Sequence, residues 1–168
     1  AIEAAKKGLK VIVLEQYLFG WGASGRNGGQ IWNDVSWGIE VIEKKYDISL
    51  AKRIWNISQA AVDLIDDRIK EFNISCDKKN GGINAATSLA KLKEYEKNMK
   101  YKMKTYNYNK LEALDKQSVE KEIGSSLYYG GILDYGAGHL HPLKYALGLV
   151  KAAASLNVSL FELSLIHI

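Results

Sequence analysis

Between Gly20 and Gln30 the chain reads GWGASGRNGGQ, with five glycines among eleven residues. Glycine has no side chain to bury and loses more backbone freedom on ordering than any other residue, so a run this dense does not sustain a helix or a strand. The segment is a loop governed by its backbone, in which several residues take positive φ or lie against something bulky. What the loop does depends on the elements that flank it.

On its N-terminal side, Ala1 to Lys7 has the small and long-chain residues that favour helix, and Gly8 is placed to end that helix in the left-handed conformation. Leu9 to Glu15 (LKVIVLE) then reads as a short parallel strand, apolar enough to be buried on both faces and stopping at an acid. Helix, glycine, buried strand and terminal acid form the second half of a dinucleotide-binding βαβ unit, in which Glu15 accepts hydrogen bonds from a ribose hydroxyl. The plainer reading of Glu15 is a solvating acid at a strand end. Ala1 to Gly8 has the look of later helical turns entered without a capping residue, so the glycine fingerprint of such a unit is expected directly before Ala1.

Beyond the loop the pattern is mixed. A short helix is expected over Ser36 to Lys45. Asp47 caps a longer one with an apolar stripe through Leu50, Ile54, Ile57, Ala61, Leu64, Ile65, Arg68 and Phe72. Gly81 to Thr87 reads as a strand, Ser88 to Lys104 as a helix through Leu89, Leu92 and Met99, and Asp115 caps a helix ending near Ile123. Leu127 to Asp134 (LYYGGILD) reads as a strand broken by a glycine pair. Pro142, the only proline, suits the first turn of a helix whose buried side carries Tyr145, Leu149 and Ala153. A last strand is expected over Val158 to Leu163. The apolar ending after it (SLIHI) makes 163–168 an expected non-native tail.

Composition narrows the function classes. A hydrophobic fraction of 47%, a charged fraction of 25% and a mean hydropathy of -0.18 belong to a globular chain, and no apolar run reaches the length of a bilayer span. The net charge of +4 comes from lysines mixed with acids. The lysine-rich segment from Lys91 to Lys110, with Tyr95, Tyr101, Tyr106 and Tyr108 interleaved, is a solvated helix face rather than a nucleic-acid surface. Cys76 is the sole cysteine, so no disulfide forms within the chain, no thiolate cluster holds a metal, and a reducing, cytoplasmic setting is expected. His139 and His141 stand in i,i+2 spacing without further ligands nearby. His141, next to Pro142, reads as a helix-start residue before it reads as a general base. Tyr128, Tyr129 and Tyr135 are expected in the core ahead of any substrate pocket, and Cys76 as a small buried hydrophobe.

Gly22 to Gln30 (GASGRNGGQ) resembles the loop after the second strand in FAD-dependent oxidoreductases of the D-amino-acid-oxidase-like family, in particular the glutamylputrescine-oxidase-like branch. Ser24, Arg26, Asn27, Gly28 and Gly29 stand in the family's order. A second stretch, Gly138 to Val150 (GHLHPLKYALGLV) followed by Val158 to Glu162, resembles that family's return from the substrate-domain sheet into a helix and a strand. Weaker likeness around Ile74 to Asp77 and Gly81 to Ala86 extends the match over most of Ala1 to Glu162.

The resemblance implies an α/β fold, α+β in its inserted part: an incomplete Rossmann-like FAD-binding domain with part of a substrate domain. Residues 1–45 belong to the FAD-binding domain, 46–141 mostly to a helical and substrate-domain segment, and 142–162 to the return. Peptide groups from Ser24 to Gln30 are expected to lie against the isoalloxazine and its diphosphate. Arg26 faces the pyrophosphate, Asn27 the polar edge of the flavin, and Gly28 and Gly29 allow close approach. The implied activity is oxidation of a C–N bond in a small amine or amino acid by hydride transfer to FAD, with no nucleic-acid partner. A sarcosine- or glycine-oxidase-like flavoenzyme, a flavin domain in RNA modification and a non-catalytic nucleotide-binding module are the rival readings. The sequence sets no catalytic residue and no oligomeric state.

Overall fold

A computed structural model describes residues 1–35 and 38–165, and the chain forms two compact units. One comprises Ala1–Gly29, Asp63–Lys78 and Leu140 onward; the other comprises Gln30–Val62 and Lys79–His139.

In the first unit α1 (Ile2–Lys6) ends as Gly8 turns left-handed at φ 78°, and the chain enters β1 (Ile12–Leu14). β1 pairs in parallel with β6 (Ser159–Phe161), Val13 standing beside Leu160. Helix α6 (Pro142–Ser155) leads into β6, with Pro142 in its first turn and Ala152 and Ala153 buried. Both strands are three residues long, shorter than the expected Leu9 to Glu15 and Val158 to Leu163. Burial on both faces of β1 is also not observed. Ile12 and Leu14 are 65% and 48% exposed, because among the described residues only the face of Val13 and Leu160 looks onto α1 and α6. Ion pairs of Lys6 and Arg68 with Glu71, and of Arg68 with Glu3, join α1 to the C-terminal turns of α3 (Ile48–Glu71). The Lys6 ammonium, then the Arg68 guanidinium, hold the Glu71 carboxyl below its ordinary range against the opposing effect of burial.

The second unit is organised on β5 (Gly131–His139). β3 (Lys79–Ala85) runs antiparallel along one edge, while β4 (Leu111–Leu114) and β2 (Gln30–Ile31) share the other. Around this sheet stand α2 (Ile39–Lys45), the N-terminal part of α3, α4 (Leu89–Tyr106) and α5 (Lys116–Ile123). The starts of α3, α4 and α5 follow the capping rule: the side-chain oxygens of Asp47, Ser88 and Asp115 accept from the N–H groups of Leu50, Lys91 and Ser118 at 2.8, 3.2 and 2.8 Å. Ile39, Ala51, Trp55 and Tyr108 form the buried cluster, with Val35, Ile42, Ile54, Tyr106 and Leu111 packed on it.

Four expectations change here. Helix α2 is observed from Ile39; Ser36 and Trp37 lie outside the described residues, as do Ile166, His167 and Ile168 of the expected tail. The buried line of α3 passes through Ala51 and Trp55, whereas Ile57 is 68% exposed and Ala61 and Leu64 also face out, since an aromatic anchor one position away claims the packed side. β5 starts at Gly131, beyond the glycine pair's first member, and continues past Asp134 to His139. It does so because bare Gly136 lets Tyr108 cross the strand: a Cβ there would stand 2.0 Å from the Tyr108 hydroxyl. Finally, Tyr129 and Tyr135 are exposed, not core; Tyr135 donates its hydroxyl to Glu112. β2 and β4 were not expected from sequence. Cys76 is buried, as its composition-based reading has it. Among the described residues no helix is long and apolar enough to cross a membrane.

Candidate functional site

In the first unit the two parallel strands run into two glutamates. Glu15 Oε1 accepts the Tyr17 N–H at 2.8 Å, and Glu162 Oε1 accepts the Phe19 N–H at 2.6 Å. Backbone bonds pin the segments together: Glu15 N–H to Phe161 O at 2.9 Å, Ser164 N–H to Glu15 O at 2.9 Å, and Leu163 N–H to Tyr17 O at 3.1 Å. The chain leaving β1 is therefore held at the carboxyl end of the strand pair, where ligands bind in open α/β sheets. Glu15 Oε2 accepts no hydrogen bond from any described residue.

From there the chain enters the glycine-rich loop, and Leu143 of α6 packs against Gly20 and Gly25. Ala23–Gly25 is one tight helical turn. The Asn27 carboxamide knots the loop: its Nδ2 donates to Ala23 O and Ser24 O at 3.0 and 3.2 Å, and its Oδ1 accepts from Gly29 N–H at 2.8 Å. Gly29 takes φ 69° and is buried, and its carbonyl accepts the Leu140 N–H at 3.0 Å. The N–H groups of Ala23, Ser24, Asn27 and Gly28 donate to no described residue, and all four residues are exposed. Arg26 is likewise exposed; its guanidinium carbon lies 3.8 Å from the Trp21 ring centroid, and it forms no ion pair with a described residue. The result is an exposed backbone turn with unspent N–H donors beside a guanidinium, an arrangement suited to phosphate oxygens.

The sequence-derived residues thus divide. Glu15, Ser24, Arg26, Asn27, Gly28 and Gly29 all lie in the first unit, whereas Gln30 begins β2 of the second, opposite His139. His141 is the N-cap of α6, its Nδ1 accepting the Lys144 N–H at 3.4 Å; His139 is exposed on β5. Two participants were not expected from sequence. Trp21 has no spacing signal that couples it to Arg26. Glu162 carried one, since the acid directly follows the apolar LF of VSLFEL, as Glu15 directly follows the apolar run of LKVIVLE.

A parallel strand pair ending in an acid, with a glycine-rich loop of unspent N–H groups after it, has the chemistry a nucleotide cofactor requires, and residues 1–167 match the family described as FAD dependent oxidoreductase, so the chain belongs to it. Similar proteins include a probable oxidoreductase OrdL of Haemophilus influenzae, 41% identical over 164 residues, and the gamma-glutamylputrescine oxidoreductase of Escherichia coli, 38% identical over 167 residues. Each match covers 98% of this chain and 38% of the relative, so the chain spans little more than a third of these relatives' length. Among solved structures, the L-proline dehydrogenase from P. horikoshii aligns with TM-score 0.74 at 16% identity, covering 99% of this chain and 41% of that one. The glycine oxidase from Geobacillus kaustophilus aligns with TM-score 0.70 at 19% identity, covering 96% and 42%. At these identities the likeness is one of fold.

The donor set suits FAD. A ribose diol offers hydroxyl donors to the open Oε2 of Glu15, and a diphosphate offers acceptors to the four unspent N–H groups and to Arg26.

Proposed function

We propose that the protein oxidises the C–N bond of an amine or amino acid with FAD, and that the part described here supplies the ribose and diphosphate contacts. The observation that carries this reading is the open carboxylate oxygen of Glu15 at the end of a parallel strand, in one unit with the unspent N–H groups of the 23–28 loop. FAD, when bound, supplies the two-electron acceptor that takes a hydride from the carbon beside nitrogen, and water hydrolyses the resulting imine.

The residues of this chain have binding and shaping tasks. Glu15 orients the ribose by accepting from its hydroxyls. Ser24 and its neighbours offer peptide N–H groups to the diphosphate, and Arg26 balances its charge. Asn27 holds the loop in the conformation that exposes those donors. Gly28 and Gly29, which lack side chains, let the main chain pass close to the flat ring. We assign residues 1–45 and 142–162 to the flavin-binding domain, 46–141 largely to the substrate domain, and the reaction to the cytoplasm.

The test is flavin retention. The purified full-length protein is expected to carry flavin absorbance, and in it Arg26→Ala and Glu15→Ala are each expected to lower FAD affinity at least tenfold. Unchanged affinity in both variants would refute the assignment. A turnover panel led by gamma-glutamylputrescine, the compound in the Escherichia coli relative's name, with sarcosine, glycine and simple diamines beside it, then reads the substrate class.

A further inference from the structure

The second unit holds a cavity of about 480 Å³ that the flavin reading does not use. Asp134 of β5, Asp34, Lys102 and Tyr95 of α4, Trp32 and Asn84 of β3 contribute to its wall. We propose that this cavity binds an organic primary ammonium group, with the Asp134 carboxylate as its counter-charge and Asn84, Trp32 and Tyr95 around the attached chain.

The argument starts from charge. Asp34 and Lys102 neutralise one another, the ammonium lying 2.5 Å from Asp34 Oδ2. That leaves Asp134, 5% exposed, as a buried acid with no ion-pair partner among the described residues. A carboxylate taken from water without a cation is costly, and here the compensation is one-sided. Oδ1 accepts the Tyr108 hydroxyl at 2.6 Å and the Gly136 N–H at 2.8 Å, while Asn33 Nδ2 donates in turn to the Tyr108 oxygen. The relay Asn33 to Tyr108 to Asp134 fixes the carboxylate's orientation. Oδ2 accepts from no described residue, and no buried side-chain oxygen is left sealed and unpartnered, so Oδ2 opens on the cavity.

The shape of the demand is that of an alkylammonium. One carboxylate oxygen receives one N–H, the Asn84 carboxamide on the same wall can offer a second acceptor, and the aromatic side chains of Trp32 and Tyr95 suit the methylene chain behind the cation. A divalent metal is the poorer fit, because no group of three or more His, Cys, Asp or Glu side chains converges among the described residues. This inference does not rest on FAD binding: its residues all belong to the second unit and it stands or falls by itself.

The experiment is calorimetric titration of the purified protein with n-butylammonium chloride, with 1-butanol and magnesium chloride as separate arms. Saturable binding of n-butylammonium alone is expected. Asp134→Asn keeps an acceptor for Tyr108 and Gly136 while removing the charge, and is expected to weaken binding at least tenfold. Asn84→Phe, at an exposed strand position that tolerates an aromatic, is expected to do the same by filling the cavity, and it decides the matter should Asp134→Asn fold poorly. Glu94→Gln, on the exposed side of α4, is the unchanged control. Absence of saturable butylammonium binding, equal binding of 1-butanol, binding of magnesium in its place, or undiminished affinity in Asn84→Phe overturns the proposal.

Discussion

Gly29 and Leu140 are joined by a contact that admits no side chain: a Cβ on Gly29 would stand 1.9 Å from the Leu140 carbonyl oxygen, while the Leu140 N–H donates to Gly29 O at 3.0 Å. This one juncture ties the end of the glycine-rich loop to the residue that precedes the His141–Pro142 start of α6. The first unit's loop and its following helix are therefore coupled through backbone at this point, beside the side-chain packing of Leu143 on Gly20 and Gly25.

Replacing Gly29 with alanine adds both a backbone clash and strain at φ 69°. Gly29→Ala is expected to cost about 3 kcal/mol or more in urea unfolding. Gly22→Ala, at ordinary negative φ and with open space around a Cβ, is expected to shift stability by roughly 0.5 kcal/mol or less. Equal effects from the two would mean that the loop is not held at Gly29.

Trp21 is expected to act through Arg26. Stacking at 3.8 Å restricts the guanidinium, and its loss is worth about 1 kcal/mol, or a fivefold rise in the FAD dissociation constant in Trp21→Ala. Trp21→Phe retains a ring and is expected to retain most of the affinity. Flavin fluorescence titration reads both; a Trp21→Ala variant that binds FAD like the parent makes the stacking incidental.

Ser88 caps α4, its hydroxyl accepting the Lys91 N–H at 3.2 Å. Ser88→Ala is expected to lose about 1 kcal/mol, and Ser88→Gly only a few tenths, because glycine leaves the first turn hydrated. Chemical denaturation of the two variants side by side checks the order, and the reverse order would remove the cap from the account of this helix.

Tyr106 sets an alkaline limit. Burial, then donation to Glu43, raise its phenol well above the ordinary range. With the folded value above the unfolded one, the stabilisation is complete below about pH 10 and is lost as pH rises beyond it. Tyr106→Phe is expected to flatten the alkaline limb of the stability profile while lowering the neutral plateau. A limb of unchanged steepness would assign alkaline unfolding to other groups, Tyr101 and Tyr145 among them, whose phenols are also raised.

Local grammar was readable before any tertiary structure. Gly8, Asp47, Ser88, Asp115 and Pro142 each begin or end the helix their chemistry specifies, because capping and φ restriction act over one turn and need no partner. The order GASGRNGGQ carried the family, since glycines alone are common but that arrangement of serine, arginine and asparagine is not. What only the tertiary structure decided were contacts between segments remote in sequence. β2 and β4 are too short to show a period and exist through pairing with β5; the buried line of α3 was chosen by Trp55 packing against Tyr108; Asp134 acquired its relay from Tyr108 and Asn33. Hydrogen bonding and burial across the fold cost chain entropy that no local pattern records, so where those contacts close is settled only when the whole unit packs.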